Sequence, residues 1–236
     1  MRALRRRVDR RIVLALRGRL ARQATGPSSL GLEKIGSDYG GWIVPTALID
    51  SDWVCYLAGV GEDITFDLAL IERFRCAVFA FDPTPRAIAH VAATAADVPS
   101  FHFLPIGVWS EDTTLRFFAP RNPAHVSHSV VNLQRTSEFF EATVRSLPSV
   151  MAELGHARVD LLKLDIEGAE HEVVRSMVEA GIRPRVLCME IDQPVRPIPF
   201  WRTVRRARRA GYRLVALDGW NLTFVGHELV DGAGRS

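Results

Sequence analysis

The sequence predicts an α/β protein with a doubly wound, mostly parallel sheet and one antiparallel strand near the C-terminus. Three observations lead there. Short apolar runs alternate with helix-length segments from Trp53 onward. Several of those runs, such as Leu161-Leu162-Lys163-Leu164 and Val186-Leu187-Cys188-Met189, are apolar without alternation, as strands covered by helices on both faces are. The last two runs flank the turn-forming Asp218-Gly219-Trp220-Asn221, which predicts a closing hairpin and hence a reversed strand.

Taken in order, residues 1–25 read as a basic arm and linker and residues 26–236 as the folded domain. The arm carries Leu4, Val8, Ile12, Leu16 and Leu20 at a spacing of four, an amphipathic helix ringed by arginines. Thr25-Gly26-Pro27-Ser28-Ser29 follows as a linker. Strands are expected over 53–59, 76–82, 101–107, 159–165, 185–191, 212–217 and 222–227. Helices are expected over 63–74, 85–96, 168–180 and 200–210. Residues 110–150 interrupt the rhythm: Pro120, Asn122, Pro123 and Pro148 bracket a polar segment with His125, Ser127, His128 and Ser129. It reads as a long insertion after the third strand, on the side where open α/β sheets bind ligands.

Composition narrows the function. At 236 residues, with 47% hydrophobic and 24% charged residues, the chain can bury a substantial core. No charge-free stretch is long enough to cross a bilayer. Cys55, Cys76 and Cys188 lack metal-site or disulfide-framework spacing and read as buried thiols in a reducing compartment, the cytoplasm. Residues 1–22 hold nine arginines against Asp9 alone, a charge of +8, which against +3 for the whole chain leaves −5 for the remainder. The basicity therefore belongs to the arm, and nucleic acid is not the expected partner. The arm suits peripheral contact with an anionic membrane, or is a terminus docked on its own domain without such a role. It lacks the uninterrupted apolar run and cleavage site of a secretory signal.

Three segments can carry chemistry. The turn Gly59-Val60-Gly61-Glu62-Asp63 permits close backbone approach at a helix N-terminus, but Glu62 and Asp63 would repel a pyrophosphate, so a cationic or zwitterionic ligand fits better. Asp82 ends the second strand about twenty residues on, where a carboxylate can hold a ribose diol or serve the start of the next helix beside Pro83 and Pro85. The fourth strand ends in Lys163-Leu164-Asp165-Ile166-Glu167-Gly168-Ala169-Glu170. Residues two apart share a face there, so Lys163 and Asp165 can pair, and if the strand persists as far as Glu167 that residue continues the row. Glu167 and Glu170 also complement the dipole of the helix they open, but a lysine in a central strand requires a partner. Glu190 and Asp192 add acids at the end of the fifth strand.

Lys163 to Glu170 matches Lys-x-Asp-x-Glu-Gly-x-Glu, and with it the chain resembles the FkbM-type family of S-adenosylmethionine-dependent methyltransferases over roughly residues 32–228. Further points of likeness are Tyr39-Gly40-Gly41-Trp42, the turn at Gly59, Phe81-Asp82-Pro83-Thr84-Pro85 and Gly107-Val108-Trp109-Ser110. The resemblance implies a class I methyltransferase, Rossmann-like fold. It further implies an S-adenosylmethionine site formed by Tyr39, Gly59, Gly61, Glu62, Asp63, Asp82, Thr84, Gly107 and Val108, and methyl transfer to an oxygen. The chain departs from the family pattern at Tyr56, where an acid is usual, and in the order of glycines in the first turn.

A hydroxyl acceptor must lose a proton as it takes the methyl group, and Asp165, Glu167 and His128 are candidate bases with Lys163 able to assist. Asp165, Glu167 and Glu190 are hard oxygen donors of the kind magnesium takes, though strand-end acids occur without metal, and no metal ligand is assigned. The acceptor expected is a sugar or other small metabolite or glycan. Two other classes fit parts of the pattern: a non-catalytic binding module built on the same fold, and a nucleotide-dependent oxidoreductase, which would want a third glycine that the turn lacks.

Overall fold

The computed structural model describes residues 2–119, 129–130, 136–191 and 197–233. Its centre is a seven-stranded sheet built from β3 (Val54–Ala58), β4 (Ala77–Phe81), β5 (Phe101–Leu104), β9 (Leu161–Leu164), β10 (Val186–Glu190), β11 (Tyr212–Asp218) and β12 (Asn221–Gly226), in the spatial order β11-β12-β10-β9-β3-β4-β5. Neighbouring strands from β10 to β5 pair in parallel, and β12 runs antiparallel to both β10 and β11. The predicted hairpin and reversed strand are therefore present. The apolar runs are explained too: every residue of β9 is buried, because helices cover both faces.

Those helices are α2 (Thr65–Phe74), α3 (Pro85–Thr94), α4 (Leu147–Leu154), α5 (Glu170–Glu179) and α6 (Pro197–Arg209), with α7 (His227–Ala233) closing the described chain. Two hydrophobic clusters result, one on each face: Tyr56, Phe81, Leu162, Met189 and Phe224 belong to the first, and Trp42, Leu57, Phe66, Val78 and Cys188 to the second. The chain leaves β3 toward β4 and β5 in one direction and later fills β9 and β10 on the other side. Strand order thus reverses between β3 and β9, the place where a crevice opens at the carboxyl ends of a doubly wound sheet.

Two features went beyond the sequence reading. Leu32–Ile35 (β1) and Trp42–Pro45 (β2) form a separate antiparallel hairpin, which Thr223 ties to β12 through its hydroxyl and the Ile43 carbonyl (2.6 Å). The segment expected to be an irregular insertion instead contains Thr113–Phe118 (β7) and Phe139–Ser146 (β8), which join Gly107–Trp109 (β6) in a three-stranded sheet before α4. Period-two placement of Thr113, Leu115 and Phe117, and of Phe140, Ala142 and Val144, was the available signal.

The arm is a helix, α1 (Arg2–Gln23), whose second half lies against α6 and β11. Of the predicted stripe, Leu20 is buried and Leu16 packs against the core, while Ile12 is exposed and Val13 is buried in its place, as a period of 3.6 rather than four requires. Arg17 donates to the Gly219 carbonyl and stacks over Trp220, and Arg208 of α6 donates to Gln23 (2.9 Å). Replacing Leu20 by aspartate would put an unpaired charge into that seam, at a cost of about 3 kcal/mol or more. The expected outcome is faster limited proteolysis at Thr25–Ser29, with the sheet intact by circular dichroism.

Candidate active site

The carboxyl ends of β3, β4, β9 and β10 surround a cavity of about 470 Å³, within the range that takes a small-molecule ligand. Its floor is held by one buried ammonium. Lys163 Nζ, 6% exposed, donates to the Gly59 carbonyl (2.7 Å), pairs with Asp165 Oδ2 (3.5 Å) and lies 5.8 Å from the centre of the Trp42 ring. The pairing expected from strand periodicity is present, and a lysine in a fully apolar strand finds the partners its charge requires.

Gly59 is fixed from three sides. Its N–H donates to the Phe81 carbonyl (2.9 Å), its carbonyl accepts from Lys163, and its φ is +85°. A Cβ there would stand 1.7 Å from the Asp165 carbonyl oxygen, so β3 and β9 can approach this closely only with glycine. Gly61, also left-handed with φ +59°, has open space where its Cβ would be, leaving bare backbone on the cavity wall.

Asp82 reaches the wall where the spacing put it, and each of its oxygens accepts two bonds from the protein. Oδ2 takes the N–H groups of Val60 and Gly61 (both 3.0 Å), and Oδ1 takes the N–H and hydroxyl of Thr84 (2.8 and 2.6 Å). Thr84 in turn caps α3. Asp82 therefore shapes the glycine turn and the start of α3 together.

Further acids line the cavity. Glu62 holds Arg86 in a two-point ion pair (3.0 and 2.6 Å). Asp63 accepts from the Ser37 hydroxyl and from the N–H and hydroxyl of Thr65; burial alone would raise its pKa, but these bonds hold it below the usual carboxylate range. Asp165, Glu167 and Glu190 line the opposite wall. Tyr39 stands at the rim, 86% exposed, and its hydroxyl pKa is raised by partial burial and by Asp165, Glu190 and Glu167. Gly107, Val108 and Phe117 of the three-stranded sheet also line the cavity, as do Val130 and Thr84. His128 and Asp192 lie outside the described residues.

Glu167 is held in an unusual conformation, with φ +55° in a residue other than glycine. What holds it is Glu170, whose buried carboxylate accepts from Ile166 N–H (2.9 Å) and Gly168 N–H (3.0 Å), together with Ser129, whose hydroxyl donates to the Glu167 carbonyl. The last glutamate of the signature thus folds the loop that presents the previous one. Burial pushes the Glu170 carboxyl up to about 8 against those bonds. Tyr56 lies outside the cavity, bonded to His156 Nδ1 (2.7 Å). Among the described residues, no group of three His, Cys, Asp or Glu side chains could hold a metal ion.

Sequence reasoning passed over Ser37, Ser129, Arg86 and Asp67. The last is buried in the first turn of α2, with Oδ1 lacking a hydrogen-bond partner among the described residues. Burial pushes its carboxyl up to about 7, partly offset by the Lys163 charge. An acid on the otherwise apolar side bearing Phe66 and Leu70 was the signal available.

The sequence family described as Methyltransferase FkbM domain matches residues 58–214, well over half the chain. A search of the curated proteins finds no match. Among solved structures, the chain is similar to the Methanococcus jannaschii fibrillarin pre-rRNA processing protein, with 12% identity, a TM-score of 0.43, and coverage of 75% of this chain and 66% of that one. The Aeropyrum pernix fibrillarin solved with natively bound S-adenosyl-L-methionine gives 12%, 0.45, 86% and 86%. The Geobacter metallireducens precorrin-6y C5,15-methyltransferase gives 11%, 0.41, 75% and 82%.

Two outcomes are expected. Gly59→Ala should lower stability by about 3 kcal/mol and abolish ligand binding, because β9 must move away from β3; denaturant unfolding and calorimetry measure both. Since the folded protein holds the Asp67 proton more tightly than the unfolded chain does, the Asp67 contribution to stability is full below the ordinary carboxylate value of ~4 and is lost as pH rises through about 7. Asp67→Asn should flatten that decline in melting temperature between about pH 5 and about pH 8.

Proposed function

The chain belongs to the FkbM methyltransferase family, and on that premise we propose that it transfers a methyl group from S-adenosylmethionine to a hydroxyl of a sugar or another small metabolite. The observation that carries this reading is the charge of the cavity. Asp63, Asp82, Asp165, Glu167 and Glu190 line it, and Lys163, the one cation among its described lining residues, is already bound to Gly59 and Asp165. An acidic wall suits a ligand carrying an ammonium and a sulfonium. It opposes a pyrophosphate, which speaks against a nicotinamide dinucleotide.

S-adenosylmethionine, when bound, supplies an electrophilic methyl group. The chain's own residues would do the rest. Gly59 and Gly61 offer bare backbone along which a nucleoside can lie, while Asp82 and Thr84 stand where a ribose would reach the end of β4. Phe81, Val108 and Phe117 provide apolar wall, and Tyr39 narrows the rim. Holding an acceptor oxygen in line at near-attack distance accounts for much of such a reaction. The remaining requirement is removal of the hydroxyl proton, which Asp165 and Glu167 are placed to accept. Lys163 fixes the first of them and the Glu170-braced loop fixes the second.

The test is transfer of isotopically labelled methyl groups to a panel of hydroxylated sugars and small metabolites. Asp165→Asn or Glu167→Gln should lower kcat by about 100-fold or more, with a milder effect on affinity for S-adenosylhomocysteine. Unchanged turnover in both variants would overturn the assignment of the base. Label appearing only on nitrogen or carbon acceptors would overturn the hydroxyl reading.

A further inference from the structure

We propose that the adjoining faces of α1 and α6 form a docking surface for an anionic phospholipid bilayer. The outward positions of α6 are Ile198, Trp201, Arg202, Arg205, Arg208 and Arg209, all exposed and spaced three or four apart, so that they form one continuous strip. Phe200, Thr203, Val204 and Ala207 are buried on the opposite side. Beside this strip lies α1, joined to it by the Arg208–Gln23 hydrogen bond and presenting Arg11, Ile12, Leu14, Arg19 and Arg22 outward.

Two properties identify the occupant. The first is uncompensated charge: among the described residues, none of these arginines forms an ion pair, although arginines elsewhere, such as Arg73, Arg86, Arg145, Arg158 and Arg175, do. The second is exposed apolar surface set among the charges. Ile198 is 62% exposed, Trp201 47%, and Ile12 and Leu14 44% each. Phosphates alone would be met by arginine without aliphatic side chains. A bilayer interface takes both, arginine at the headgroups and tryptophan, isoleucine and leucine at the acyl boundary, and this favours lipid over nucleic acid. The Arg205 guanidinium already lies 4.7 Å from the centre of the Trp201 ring, pairing the two kinds of contact. The surface also adjoins the cavity, because Arg17 of α1 binds the Gly219 carbonyl in the turn that leads into Asn221 on the cavity wall.

The test is co-sedimentation of the full chain with phosphatidylcholine vesicles, with and without roughly 30% phosphatidylglycerol. Binding is expected only to the anionic vesicles and should be largely lost at about 0.5 M NaCl. Each surface arginine near such a membrane contributes roughly fivefold, so Arg202→Glu/Arg205→Glu/Arg209→Glu should weaken partitioning by about 100-fold or more. Trp201→Ala/Ile198→Ala should weaken it as well, with far-ultraviolet circular dichroism and melting temperature unchanged in both variants. No partitioning into anionic vesicles would overturn the proposal. So would partitioning indifferent to both variants, or capture of single-stranded RNA in place of vesicles.

Discussion

The site depends on one buried charge. Lys163 sits in the most thoroughly covered strand of the sheet, and an ammonium there is tolerable only if its surroundings supply an acceptor and a counter-charge. The Gly59 carbonyl and Asp165 do so, and both belong to the two strands between which strand order reverses. A single interaction thereby joins the turn after β3 to the loop after β9. The missing Cβ of Gly59 makes that junction possible, and the Trp42 ring brings the β1–β2 hairpin onto the same ammonium. Without the lysine, Asp165 would lose its counter-charge, the buried Asp67 would lose the cation that offsets its burial, and the crevice would lose its floor.

From that junction the rest of the cavity follows by hydrogen bonding between loops. Asp82 gathers the glycine turn and Thr84, Asp63 gathers Ser37 and Thr65, and Glu170 folds the loop that carries Glu167 at a positive φ. Several acids thus spend their acceptor capacity on architecture. Among the described lining residues the acids still outnumber the one cation, Lys163. The molecule is electrically divided: an acidic crevice at the strand ends, and an arginine-rich flank on α1 and α6. The net charge of +3 conceals both.

Much of this was legible in the residues. Apolar runs without alternation gave the covered strands, Asp218-Gly219-Trp220-Asn221 gave the reversed strand, and the period of two gave the Lys163–Asp165 pair. Three things were harder to read. The strands between Thr113 and Ser146 are hard to read because the prolines and histidines of 120–128 interrupt the alternation that flanks them. In α1 the predicted stripe holds at Leu16 and Leu20 and fails one turn earlier, because a repeat of four drifts around a helix of 3.6, which leaves Ile12 in solvent and Val13 inside. The extent to which Asp82 and Asp63 are occupied by Thr84, Val60, Ser37 and Thr65 could not be anticipated, since those partners converge only through tertiary packing.

The most direct measurement is calorimetric titration of the purified protein with S-adenosylhomocysteine, NAD serving as control, in the wild type and in Lys163→Met. An acidic crevice assembled by Lys163 predicts binding of S-adenosylhomocysteine at a Kd on the order of micromolar, no heat with NAD, and loss of binding in the variant with its helices and sheet retained. Binding of NAD by the wild type, or undiminished S-adenosylhomocysteine affinity in a folded Lys163→Met protein, would contradict it.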